Sequence, residues 1–254
     1  MNIRNKKSLG QNFIFDKNFL KKISNFIKTS HDNVLIEIGP GPGTLTEFLY
    51  KKKFKKLILI EKDLRLLDNL HNNFCSKKID IFNEDALNFD FQLNDLKDSI
   101  IVGNLPFNIS VDLLYLWTKL KKWPPKQVKM VLMFQKEVAN RIIADPNNKS
   151  YGKLSIVIQS RYRINKLLDV PSSIFTPPPK VDGTILEFTP HNDYRLINID
   201  KIDEVSKAAF SQRRKKIKNN MSKYIQILDM LSIDHNLRPE NLSVKDYCEI
   251  AKNI

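Results

Sequence analysis

The sequence predicts an α/β protein, a doubly wound and mostly parallel sheet followed by a small α-helical C-terminal domain. Two observations predict the sheet. Short apolar runs recur through the first half of the chain, each ending in a polar or glycine-rich stretch and each followed by residues at helical spacing. The runs are apolar throughout and do not alternate, which is the pattern of strands covered on both faces. A third observation places the second domain: after Thr189-Pro190 the texture turns to basic, helix-like segments, dividing the chain into 1–190 and 191–254.

The elements follow in order. Phe19, Leu20, Ile23, Phe26 and Ile27 share one helical face. The run VLIEI (34–38) is a strand, closed by a Gly/Pro turn and followed by a helix over 44–53. The unit then repeats. A strand at 57–61 precedes a helix at 64–74, a strand at 79–82 leads to Glu84-Asp85, a strand at 100–104 precedes a helix at 109–120, and a strand at 130–134 precedes a helix at 137–144. Segments 167–170 and 184–188 flank the proline-rich FTPPPKVDG (175–183) and are candidates for the last strands of the same sheet. Helices are expected at 204–210 and 214–227, and a last one opens at Ser243-Val-Lys-Asp246, which resembles a capping box.

Charge narrows the function. The 254 residues hold 42 Lys and Arg against 28 Asp and Glu, a net +14. The excess is concentrated: residues 1–28 carry seven basic residues and one acidic, and residues 201–223 carry eight and two. Concentration points to a polyanionic partner more than to compositional drift. A second basic group, Lys119, Lys121, Lys122, Lys126 and Lys129, lies beside Trp117 and Trp123. No apolar run approaches the ~18 residues of a membrane span, and no secretory segment is expected. Cys75 and Cys248 lack CxxC spacing, so neither a disulfide framework nor a metal site is expected; both are read as core thiols of a cytoplasmic protein.

In open α/β sheets ligands bind beyond the carboxyl ends of the strands. The first strand end, Glu37 to Gly43, spaces its glycines G-x-G-x-G, with Gly39 and Gly41 letting the backbone approach a ligand. This departs from the dinucleotide fingerprint, and its two prolines remove N–H groups that a pyrophosphate would need. The second strand ends at Glu61, a carboxylate able to accept both hydroxyl protons of a ribose. The third leads to Asp85, able to accept from an adenine amino group. Together they point to an adenosyl ligand without phosphates.

The fourth strand end, NLPF (104–107), resembles the signature of N6-adenine methyltransferases. Adenine N6 is a poor nucleophile because its lone pair is delocalised into the ring. The side-chain oxygen of Asn104 and the carbonyl of Leu105, held by Pro106, would accept both N6 protons and draw the nitrogen toward tetrahedral geometry. Phe107 would stack on an extruded base. Five further segments extend the resemblance: KSLGQNF (7–13), EIGPGPGTLT (37–46), FTPPPKVD (175–182), AFSQRRK (209–215) and RPENLS (238–243). With NLPFNIS (104–110) they are similar to the KsgA-type ribosomal RNA adenine dimethyltransferases.

That resemblance implies a Rossmann-like class I methyltransferase domain over 1–190, a helical RNA- or ribosome-binding domain over 191–254, and S-adenosyl-L-methionine as cofactor. It implies that Gln11, Asn12 and Ile14 close over the cofactor, Gly39 and Gly41 line its methionine part, Glu61 holds the ribose and Asp85 the adenine, while Asn104 serves both ligands. Phe175 would lie against the target adenine opposite Phe107. Arg213, Arg214, Lys215 and Lys216, on an expected helix, would contact RNA. The implied substrate is 16S rRNA within the small ribosomal subunit, methylated at N6 of two adjacent adenosines late in subunit biogenesis; a monomer is the default expectation. The family usually has Tyr at Phe107, Leu at Ile14 and Ser at Gly183; Phe107 keeps the stacking face without the hydroxyl. Rival readings are a large-subunit RNA dimethylase, a DNA adenine methyltransferase, a non-catalytic assembly factor and a nicotinamide-dependent oxidoreductase.

Overall fold

The computed structural model describes residues 11–93 and 96–254. Arg4, Lys6, Lys7 and the first four residues of KSLGQNF lie outside the described residues. The elements are β1 (Phe13–Ile14), α1 (Lys17–Phe26), β2 (Val34–Ile38), α2 (Thr46–Leu49), β3 (Lys56–Glu61), α3 (Leu64–Asn73), β4 (Ile79–Asn83), β5 (Ser99–Gly103) and α4 (Ser110–Thr118). Then come β6 (Gln127–Gln135), α5 (Lys136–Ile142), α6 (Lys153–Gln159), β7 (Tyr162–Val170), β8 (Phe175–Thr176), β9 (Gly183–Pro190), α7 (Ile199–Ala209), α8 (Ile217–Asn220), α9 (Ile225–Met230) and α10 (Val244–Lys252).

Seven strands form one sheet in the order β4-β3-β2-β5-β6-β9-β7. Strands β4, β3, β2, β5 and β6 run parallel, and β9 joins β6 antiparallel. Every residue of β2 and of β5 is buried, as continuous apolar runs covered on both faces require. Order reverses between β2 and β5, the switch point where α/β sheets bind ligands. The two late candidate strands do belong to this sheet, as β7 and β9. A separate two-stranded pairing joins β1 to β8 antiparallel, matching Phe13 with Thr176 and Ile14 with Phe175.

The chain forms two compact units. Among the described residues, the first comprises 11–93, 96–116, 125–136 and 165–189; the second comprises 117–124, 137–164 and 190–254. The second unit therefore takes up α5 (but for Lys136), α6 and the start of β7 in addition to the stretch after 190. Apolar residues of α6, α7 and α10 recur at helical spacing and fill its core, among them Ile156, Ile202, Val205 and Tyr247, all buried. α10 opens with the expected box, Ser243 Oγ accepting from the Asp246 N–H and Asp246 accepting from the Ser243 N–H.

Two expectations change. The helix expected over 214–227 is broken, and Arg213–Lys216 lie in a turn. Asn220 Nδ2 donates to the carbonyls of Ala209 and Gln212, closing the chain back on the end of α7. Cys75 is exposed, because it follows the end of α3 in a loop; Cys248 is buried in the second unit, its thiol pushed up to about 12 by burial. Among the described residues, no helix is long and apolar enough to cross a membrane.

Candidate active site

At the carboxyl ends of β2, β3, β4 and β5 lies a cavity of about 150 Å³ within the first unit. It brings together Gln11, Asn12, Gly39, Gly41, Glu61, Asp85, Asn104, Leu105, Pro106 and Phe107, ten of the residues singled out from the sequence. Ile14 instead lines an adjoining cavity of about 40 Å³, and Phe175 lines neither.

The floor is the glycine turn. Gly39 and Gly41 adopt φ of +63° and +59°, the left-handed region that side chains rarely enter. At Gly41 there is a second demand: a Cβ would stand 2.6 Å from Cε1 of Phe13, whose ring roofs the turn. Phe13 lines both cavities and was missed from the sequence, where it read only as part of the leader. It is carried there by the β1–β8 pairing, a long-range contact that local pattern does not reveal.

Two carboxylates flank the cavity. Glu61, the last residue of β3 and only 6% exposed, accepts from the Gly41 N–H at 3.0 Å and the Asp63 N–H at 2.8 Å. Burial pushes its carboxyl up from the usual range, and these two backbone donors oppose that shift. Asp85 accepts from Lys62 Nζ at 2.7 Å and from the Leu87 N–H at 3.0 Å, and the lysine holds its carboxyl below the usual range. Gln11 reaches in from the leader, its Nε2 donating to Asp63 at 2.9 Å. Asp63 caps α3 and is gripped by the Arg65 guanidinium, which holds its carboxyl far below the ordinary carboxylate value.

At the end of β5, Asn104 Nδ2 donates to the Asn12 carbonyl at 2.9 Å. That bond fixes the amide so that its oxygen is left to accept, and among the described residues the Leu105 carbonyl accepts no hydrogen bond. Asn104 and Leu105 both line the cavity, and each keeps an oxygen that accepts no hydrogen bond among the described residues. Phe107 is half-buried and meets Phe175 edge to face, centroids 6.4 Å apart and planes at 69°. The two rings stand beside each other at the cavity's edge, Phe175, 3% exposed, held against the core by β8. Phe107 is the ring with an accessible face.

The basic run divides in the same way. Arg213 pairs with Glu240 at 2.7 Å and donates to the Asn148 carbonyl, and Lys216 donates to Asn236. Arg214 and Lys215 are exposed. In the second basic group, Lys119 is bonded to Asp200 and Asp203 and Lys129 to Glu187, and Trp117 is buried.

Fold and cavity define a class I methyltransferase dependent on S-adenosylmethionine: a parallel sheet with a glycine turn at its switch point, a buried acid after the second of its strands, and paired acceptors at NLPF. The chain belongs to the ribosomal RNA adenine dimethylase family, whose profile matches residues 2–254. It is 40% identical to a ribosomal RNA small subunit methyltransferase A of Pelagibacter ubique, covering 99% of this chain and 97% of that protein. A protein of that name from Francisella tularensis subsp. novicida is 39% identical, with 97% and 96% covered. Among solved structures, a dimethyladenosine transferase from Plasmodium falciparum superposes with a TM-score of 0.83 at 24% identity, covering 95% of this chain and 96% of that one. The 23S rRNA methyltransferase ErmE superposes at 0.70 with 18% identity, covering 95% and 98%. The two structures show the shared fold.

Proposed function

We propose that the protein dimethylates N6 of two adjacent adenosines in 16S rRNA within the small ribosomal subunit, acting as a monomer in the cytoplasm late in subunit biogenesis. One observation carries the reading: the Asn104 amide is fixed by the Asn12 carbonyl so that its oxygen and the free Leu105 carbonyl form a paired acceptor in a cavity fitted to an adenosyl group.

The residues fit the cofactor. Gly39 and Gly41 make a floor without side chains, Glu61 keeps lone pairs for a ribose diol, and Asp85 offers a carboxylate to an adenine amino group. S-adenosylmethionine supplies an electrophilic methyl group on a sulfonium sulfur. The chain's own task is to orient the nucleophile. Asn104 Oδ1 and the Leu105 carbonyl accept the two N6 protons, localise the lone pair on nitrogen and aim it at the methyl carbon. With the cofactor bound, its methyl group would pass to this nitrogen, and the displaced N6 proton, held by Asn104 Oδ1 or the Leu105 carbonyl, would be given up to solvent water. Phe107 gives the extruded base a stacking surface worth roughly 1–3 kcal/mol, and Phe175 fixes the Phe107 ring from behind. Arg214 and Lys215 of the second unit supply exposed charge for phosphates.

The test is transfer of labelled methyl groups to unmethylated small subunits, with large subunits and an Asn104→Ala variant alongside. Asn104-dependent N6,N6-dimethyladenosine confined to small-subunit RNA is the expected product. Label in large-subunit RNA would move the assignment to the other RNA dimethylases.

A further inference from the structure

Lys62 immediately follows Glu61 at the end of β3, and its side chain lines the wall of the main cavity beside Asp85 and Ala86. Nothing in the orienting of N6 requires it. Its ammonium nevertheless meets Asp85 Oδ2 at 2.7 Å, while the Leu87 N–H meets Oδ1 at 3.0 Å. With one donor on each oxygen, the Asp85 carboxylate cannot turn about its Cβ–Cγ bond without losing a hydrogen bond. The remaining lone pairs therefore keep a fixed direction. The lysine side chain is 60% exposed and that of Asp85 21%, so the pair forms the cavity rim, with the lysine on the solvent side and the carboxylate within. The same ammonium holds the Asp85 carboxyl below its usual range, and as a carboxylate Asp85 is purely an acceptor.

We propose that Lys62 is a positioning residue for the cofactor's purine: by pinning one oxygen of Asp85 it aims the carboxylate at the exocyclic amino group and sets the preference for adenine. This rests on the reading that Asp85 receives that amino group. A lysine placed only for surface charge would act on affinity alike for any purine, whereas one that aims Asp85 acts only where an amino group is present.

The experiment is calorimetric titration of S-adenosylhomocysteine, and of its analogue with hydrogen in place of the purine amino group, into wild type, Lys62→Met, Lys62→Arg and Asp85→Ala. Wild type should prefer the amino compound by ~20-fold, in keeping with a hydrogen bond to a charged group. Asp85→Ala should abolish the preference. Lys62→Met should cut it about fivefold by weakening the amino compound alone, and Lys62→Arg should retain most of it. Equal weakening of both compounds by Lys62→Met, or no change, would overturn the role of Lys62 while Asp85 stands. Preference surviving in Asp85→Ala would overturn the reading of Asp85, and the proposal with it.

Discussion

The side-chain amide of Asn104 donates to the main-chain carbonyl of Asn12 over 2.9 Å, so the leader of the chain sets which atom of the amide faces the cavity. Asn104→Asp tests this bond. The aspartate keeps one acceptor but turns a second oxygen on the Asn12 carbonyl, where a donor stood. Loss of a single oriented group at a reacting centre costs on the order of 10²–10³ in rate. Single-turnover transfer by Asn104→Asp should fall by about that factor. A rate near wild type would separate the amide's orientation from transfer.

Gly39 and Gly41 share nearly the same positive φ but not the same surroundings. A Cβ at Gly39 meets only Pro106 Cδ at 3.9 Å, whereas one at Gly41 collides with the Phe13 ring. Gly39→Ala should cost only left-handed strain, about 1–2 kcal/mol. Gly41→Ala adds displacement of the ring that roofs the turn. Both should lower the denaturation midpoint, Gly41→Ala further than Gly39→Ala, and cofactor titration should show a further loss of affinity in Gly41→Ala alone. Equal affinities would mean that Phe13 does not cover the cofactor.

The contrast between these positions and their neighbours shows what was legible in the sequence. Glu61, Asp85 and Asn104 stand at or just beyond strand ends, and a strand's end is a local property that places its next residues at the sheet's rim. Phe13 and Lys62 take their parts from pairings across the chain, to β8 and to Asp85, which no local period records. The basic run misled for a related reason: Arg213–Lys216 have helical composition, but Asn220 captures the carbonyls that would continue the helix. Ile14 and Phe175 were tied to the ligands by family likeness alone; the β1–β8 pairing that sets them side by side, both buried, is a long-range contact that no local pattern records.

The division within the basic run has its own consequence. Arg213 is bonded to Glu240 and to the Asn148 carbonyl inside the second unit, and Arg214 and Lys215 are exposed. Arg213→Ala should lower the midpoint of thermal unfolding by a few degrees, since it leaves a carboxylate and a carbonyl unpaired. The double change Arg214→Ala with Lys215→Ala should leave that midpoint unchanged and flatten the salt dependence of RNA binding by about two charges. The reverse pattern would make Arg213 the phosphate contact.

Phe107 presents a face and no hydroxyl. Phe107→Tyr should therefore transfer methyl groups within about twofold of wild type, while Phe107→Ala should lose roughly 1–3 kcal/mol of base stacking, a fall of about 5- to 150-fold in kcat/KM for RNA. Cofactor affinity should change little in either variant. A large gain in Phe107→Tyr would show that a phenolic hydrogen bond has a place here that this chain leaves unused.

Glu37 offers a test that needs neither ligand. It lies within β2 at 2% exposure, accepts from Thr46 Oγ1 at 2.7 Å, and has its carboxyl pushed up to about 8, by burial first and by the nearby Glu61 as well. An acid whose folded value is raised favours the fold while it is protonated. That contribution is complete below about 4.5, the ordinary value, and is lost as pH rises through about 8. Glu37→Gln imitates the protonated acid and keeps an oxygen for Thr46. Near pH 5 the variant and wild type should unfold at similar temperatures. By pH 8 the variant should be the more stable by a few kcal/mol, roughly 5–10 °C at this chain length. A difference independent of pH would mean that Glu37 is ionised throughout, paired with a charge that the surrounding strands do not supply.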